Sequence, residues 1–167
     1  MPQTRSSTNA TRLLQQRGVA HQELTYDDAI HSAVGVSEAL GIPAGQVFKT
    51  LVALREPPSG RPLLIMIPGP AELDLKVTAR AVAAKAIKMA THRDAERLTG
   101  LKVGGIGALA LTNRPFDVFI DSSALDFDWI LVNGGKRGLN VRIGVTDLIA
   151  VTGAAVITAA RPAQNHA

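Results

Sequence analysis

Two apolar runs, Val47–Leu54 and Leu63–Ile67, flank the segment Glu56-Pro-Pro-Ser-Gly-Arg-Pro62. Proline and glycine at that density punctuate regular structure, so the runs read as two strands joined by a hairpin loop. Each run is strand-sized, far short of the roughly 20 residues that cross a bilayer. A hairpin of this kind needs a partner layer to cover its apolar face. The chain has 167 residues and is 46% hydrophobic, enough for one domain with its own core. We therefore expect a single domain over residues 1–167, with a core of about 11–158.

Helix signals surround the hairpin. A Ser/Thr cluster precedes Thr11–Arg17, and Gly18 ends it. Val34–Leu40 is closed by Gly41, and Pro43 blocks continuation. Asp74 is a candidate N-cap for a helix reaching Ala84. Thr91 and Gly100 bracket a helix over His92–Leu98, and Thr146 is a candidate cap for Asp147–Val151. Further strands are expected at 19–26, 86–89, 118–120, 130–132, 139–143 and 155–158, with a frayed tail over 161–167. Strands and short helices intermix without a repeated βαβ period. That favours an α+β fold with a mixed, curved sheet over a doubly wound one.

The chemistry is constrained by what is missing. There is no cysteine, which excludes disulfides, a cysteine nucleophile and thiolate metal ligation, and fits a reducing cytosol. The four histidines, His21, His31, His92 and His166, lack metal-ligand spacing. No GxSxG or Walker motif occurs, and Gly104-Gly105-Ile106-Gly107 lacks the dinucleotide-binding spacing. The N-terminal residues 1–11 are polar, with no apolar stretch of signal-peptide length. We expect a cytoplasmic protein with no cofactor, no metal, and no membrane or DNA partner. The net charge of +4 is compatible with a polyanionic ligand, but 4% aromatic residues leave few stacking surfaces for bases.

Two places break local rules. Lys49 interrupts the first apolar strand. On a two-residue period it shares a face with Val47 and Leu51, while Phe48, Thr50 and Val52 share the other. It is either an outward, solvated lysine or a charge aimed into a pocket. Its apolar neighbours favour the pocket, since lysine is rarely buried without a partner. The second place is the pair of glycine runs at 104–107 and 134–138. Each is either a plain turn or an anion-binding concavity of backbone N–H groups. Lys136 and Arg137 inside the second run make a phosphate contact a candidate role.

The residues Thr25-Tyr26-Asp27, Gly41-Ile42, Val47-Phe48-Lys49-Thr50-Leu51, Leu73-Asp74-Leu75-Lys76, Thr99-Gly100, Val103-Gly104-Gly105-Ile106 and Gly134-Gly135-Lys136-Arg137-Gly138-Leu139, in this order, resemble the YbaK family of aminoacyl-tRNA editing domains. The Gly-Gly-Lys-Arg-Gly run is similar to the branch acting as Cys-tRNA(Pro) deacylase rather than to the insertion domain of prolyl-tRNA synthetase. The resemblance implies a mixed, barrel-like sheet surrounded by short helices. It implies removal of a wrong amino acid from tRNA in trans, without cofactor, in some members alongside prolyl-tRNA synthetase. In the cysteine branch the substrate's own thiol attacks its ester.

By the same resemblance, Lys49 and Gly104 are the catalytic candidates. Lys49 would hold the aminoacyl-adenosine end, and the Gly104 carbonyl would lie at the reacting group. Tyr26, Thr50, Gly105, Asn140, Lys136 and Arg137 are the substrate-binding candidates. Family members commonly continue Gly-Gly-x-Ser-Pro, where this chain has Gly107 and Ala108. Val34 stands where an aromatic residue often precedes the helix glycine. These departures leave open a roomier pocket tuned to alanine or serine, and a non-catalytic module that only binds tRNA or a synthetase.

Overall fold

The computed structural model describes residues 7–163. Helix α1 (Asn9–Gln16) starts at a capping box in which Thr8 and Thr11 each bond the other's backbone N–H, and Gly18 at φ +64° follows its end. Strand β1 spans His21–Thr25, and α2 (Ala33–Leu40) runs from its N-cap Ser32 to left-handed Gly41. The expected hairpin forms from β2 (Phe48–Glu56) and β3 (Leu63–Pro68), with Lys49 opposite Ile67 and Leu51 opposite Ile65. Strand β4 (Ala71–Leu73) leads into α3 (Leu75–Ala81), which Asp74 caps through the Val77 N–H. Strand β5 (Ala86–Met89) precedes α4 (His92–Thr99), bracketed by Thr91 and left-handed Gly100 as the caps predicted. The chain continues through β6 (Asp117–Asp121), β7 (Trp129–Lys136), β8 (Leu139–Gly144), α5 (Val145–Thr152), β9 (Ala155–Ile157) and β10 (Ala160–Pro162).

Four expectations are corrected, the first being the helix after Asp74, which ends at Ala81 rather than reaching Ala84. Thr146 lies inside α5, whose N-cap is Gly144 without a side-chain bond. The run 134–138 is not one turn: Gly134 to Lys136 belong to β7, with a register irregularity between Asn133 and Lys136, and only Arg137 and Gly138 make the turn. A 3₁₀ turn at Ala108–Leu111 and strand β4 were not expected. Arg161 and Pro162 pair with β4 instead of fraying; residues 164–167 of the expected frayed tail lie outside the described residues.

The fold is α+β. The larger sheet has order β5-β2-β3-β6-β9, mixed because β3–β6 and β6–β9 run parallel. A second, three-stranded sheet is antiparallel, β1-β8-β7, and β4 and β10 form a separate two-stranded sheet. Among the described residues the barrel-like sheet does not close; one isolated parallel bridge, Val47 to Leu131, links the two larger sheets. The main core lies between them: Phe48, Val52, Leu64 and Met66 face Ile130, Val132, Val141 and Ile143. The opposite face of the larger sheet, with Ala53, Leu63, Ile65 and Ile67, is covered by α3 through Ala79. Period-two alternation along β2 thus feeds two different cores, and Lys49 stands on the α3 side, in line with Leu51 and Ala53.

Candidate active site

A cleft of about 320 Å³ opens where the two sheets meet, a size suited to a small ligand. Tyr26, Lys49, Thr50, Gly104 and Asn140 all line it. Gly105, Lys136 and Arg137 do not.

Lys49 is half-buried, and its Nζ donates to the carbonyl of Gly69 at 3.0 Å. Burial pushes its pKa below the ordinary lysine value, against the opposing pull of Glu72. The acceptor is brought there by the way β3 ends. The Gly69 N–H donates to the Val47 carbonyl at 2.8 Å, and a Cβ at this position would lie 2.5 Å from the Cβ of Ala33. Only glycine lets the end of β3 approach the start of α2 so closely.

The opposite wall is polar but uncharged. Tyr26 Oη donates to Asn140 Oδ1 at 3.1 Å, and Asn140 is buried. Burial raises the Tyr26 pKa, while hydrogen bonds from the Gly138 backbone and Asn133 pull it partly back. Tyr26 is therefore a neutral donor at neutral pH.

Gly104, at φ +89°, sits on a loop held from three directions. Asn133 Nδ2 donates to its carbonyl at 2.9 Å, while Asn133 Oδ1 accepts from the Gly135 N–H at 2.7 Å. Arg137 Nε donates to the Val103 carbonyl at 2.7 Å, and Glu96 accepts from the Val103 N–H at 2.9 Å. Gly105 is pressed against the β7–β8 turn, where a Cβ would lie 2.9 Å from the Arg137 nitrogen. Arg137 thus bonds the Gly104 loop. Asn133, which also lines the cleft, was missed by the sequence reading. Its contact with Gly104 spans 29 positions, and no local motif signals it.

No lining hydroxyl is hydrogen-bonded to His31, His92 or Lys49, whose Nζ is given to the Gly69 carbonyl, so the described residues hold no hydrogen-bonded nucleophile–base pair at the cleft. No group of three acidic, histidine or cysteine side chains among them could hold a metal ion. The arrangement offers one cation, carbonyl acceptors and amide and phenol groups. It suits binding and orienting a polar substrate that brings its own reactive group.

A profile of aminoacyl-tRNA editing domains matches residues 27–151. The chain belongs to this family. It is 33% identical over 152 residues to EbsC of Enterococcus faecalis, named as a candidate Cys-tRNA(Pro)/Cys-tRNA(Cys) deacylase; the match covers 89% of this chain and 90% of EbsC. The editing domain also superposes on the crystal structure of a candidate trans-editing enzyme for prolyl-tRNA synthetase, with a TM-score of 0.76 and 27% identity, covering 94% of this chain and 99% of that one. The crystal structure of a hypothetical protein, APE2540, shares the fold at a TM-score of 0.83 and 20% identity, over 92% and 99% of the two chains. The family resemblance read from the sequence and the α+β class are thereby borne out for this editing domain.

Proposed function

We propose that this editing domain is a trans-acting aminoacyl-tRNA deacylase that removes cysteine from Cys-tRNA(Pro), and from Cys-tRNA(Cys), with the substrate's thiol as nucleophile. The observation that carries this is a cleft with a lysine and carbonyl acceptors but no nucleophile–base pair. The name of EbsC supports the amino acid and the tRNA. In the step, the cysteine sulfur attacks its own ester carbonyl. The bond to the terminal ribose oxygen breaks, and the thiol proton passes to that oxygen. Free tRNA and a thiolactone leave, and water later opens the ring. An intramolecular attack of this kind enjoys a high effective molarity, so the protein's task is to impose the reactive pose.

In this reading Lys49 holds the terminal adenosine, with Thr50 beside it. The Gly104 carbonyl lies at the aminoacyl group. Tyr26 and Asn140 form the neutral wall against the amino acid, and Asn133 fixes Gly104. Prolyl-tRNA synthetase, which the name of a structural neighbour mentions, is the proposed partner supplying the mischarged tRNA.

A second reading, deacylation of another small amino acid, rests on Gly107. A Cβ there would lie 2.6 Å from the Asn133 carbonyl, so the loop is shaped around glycine, where the family resemblance implies serine. The deciding experiment is single-turnover deacylation of tRNA(Pro) and tRNA(Cys) charged with Cys, Ser, Ala or Pro. Cysteine is expected to be released fastest, because its thiol is a far better nucleophile than the serine hydroxyl. Equal release of Ser and Cys would overturn thiol assistance. Tight tRNA binding with no release of any amino acid would leave a binding module.

A further inference from the structure

A second cleft, of about 260 Å³, opens between α3 and β5. Its floor is apolar, with Ala79 and Ile87, and its rim carries Lys76, Arg80 and Lys85. All three are exposed, and among the described residues none of them makes a salt bridge and no acidic residue lines the cleft. Three like charges around one concavity repel one another. An anion seated between them relieves that repulsion.

The placement adds to the charge. Lys49 and Leu51 stand on the face of the larger sheet that α3 covers. Strand β5 runs along the edge of that sheet, from Ala86 and Ile87 in the second cleft to Met89, which lines the first. At about 3.3 Å per residue, its two ends lie roughly 10 Å apart. That is short enough for one nucleic-acid strand to leave the first cleft and reach the second. The other basic candidate is differently engaged, because Arg137 Nε bonds the Val103 carbonyl.

We propose that the Lys76–Arg80–Lys85 cleft binds phosphodiesters of the tRNA acceptor strand next to the terminal nucleotide. The proposal rests on the deacylase reading for its ligand and gives that site its grip on RNA beyond the aminoacyl end. Lysine and arginine placed this way contribute affinity rather than sequence choice.

The test compares wild type with the Lys76→Ala/Arg80→Ala/Lys85→Ala variant. Binding of uncharged tRNA is measured across salt concentrations, and deacylation is measured on full-length Cys-tRNA and on cysteinyl-adenosine, which lacks the neighbouring phosphates. Three lost single-strand contacts reduce the slope of log affinity against log salt by about 2. Wild-type affinity then falls about 15-fold more than the variant's between 50 and 200 mM salt. The variant should lose kcat/KM on Cys-tRNA, turn over cysteinyl-adenosine within twofold of wild type, and melt at the same temperature. A variant that keeps the wild-type salt slope overturns the cleft while leaving the deacylase reading intact. Equal losses on both substrates also overturn it. A wild type that binds tRNA with the expected slope but deacylates nothing supports the cleft and refutes the deacylase. A wild type that does not bind tRNA overturns both.

Discussion

Asn133 gives the sharpest test of how the site is built. Its amide bridges two segments, donating to the Gly104 carbonyl at 2.9 Å and accepting from the Gly135 N–H at 2.7 Å. At about 1 kcal/mol per bond, Asn133→Ala should cost about 2 kcal/mol of stability. That lowers Tm by about 4–8 °C in a domain of this size. Asn133→Asp is more diagnostic because the side chain keeps its shape. The bond from the Gly135 N–H survives, but an N–H pointing at the Gly104 carbonyl becomes a carboxylate oxygen. Two acceptors then face each other, and the Gly104 peptide is pushed from its place. If that costs about 2 kcal/mol of transition-state positioning, single-turnover deacylation slows about 30-fold. Protonating the new carboxyl restores a donor. The stability deficit should therefore be present above that group's folded pKa and shrink as pH falls through it. The assay pairs single-turnover deacylation with melting curves from neutral to acid pH. An Asn133→Asp protein that keeps wild-type rate and Tm at neutral pH would refute the positioning role.

Four further outcomes are expected. Lys49→Ala should slow deacylation about 100- to 1,000-fold, the cost of losing one preorganised polar group, and Lys49→Arg should fail as well; Tm should stay near wild type, because relief of lysine burial offsets the bond lost to Gly69. A rate within a few-fold of wild type would make Lys49 a structural residue. Gly107→Ser should destabilise by about 1–3 kcal/mol through overpacking against the Asn133 carbonyl, read as a fall in Tm. Burial alone would raise the pKa of Asp121, but hydrogen bonds from Ser123, Ala159 and Ala160 outweigh it and hold the group below its ordinary 3.8, so its stabilisation is present above that value and lost as pH falls through the folded pKa. Asp121→Asn should accordingly lower Tm at neutral pH, with the gap closing in acid. Excess EDTA should leave the deacylation rate unchanged, and a loss restored by zinc would contradict the metal-free mechanism.

The sequence was most legible where one residue type has one local job. Asp74, Thr91, Gly41 and Gly100 cap their helices because capping needs only a short-range bond or a left-handed backbone. The face assignment of Lys49 followed from strand alternation. The short strands β4 and β10 were not legible, since they gain their order from pairing with each other across the chain. The glycine run at 134–138 misled for a related reason. Its first three residues stay in β7 because β8 pairs with it across the irregularity, a tertiary fact. Bringing Tyr26, Lys49, Thr50, Gly104 and Asn140 to one cleft depends on the packing of two sheets, and their joint placement followed from family resemblance rather than from spacing.

The seam between the sheets has a consequence for ligand-linked stability. One isolated bridge, from Val47 to Leu131, joins the two sheets by backbone, and the first cleft opens across this junction. Lys49 belongs to one sheet and Asn140 to the other. An occupant gripped by both would act as a cross-brace, adding to the packed core a second tie across a junction that, among the described residues, one isolated backbone bridge spans. Binding to the native state alone raises stability by about 2.7 kcal/mol at a hundred times Kd. Here that gain would concentrate in amide-exchange protection along β2 and β7, the strands that flank the junction.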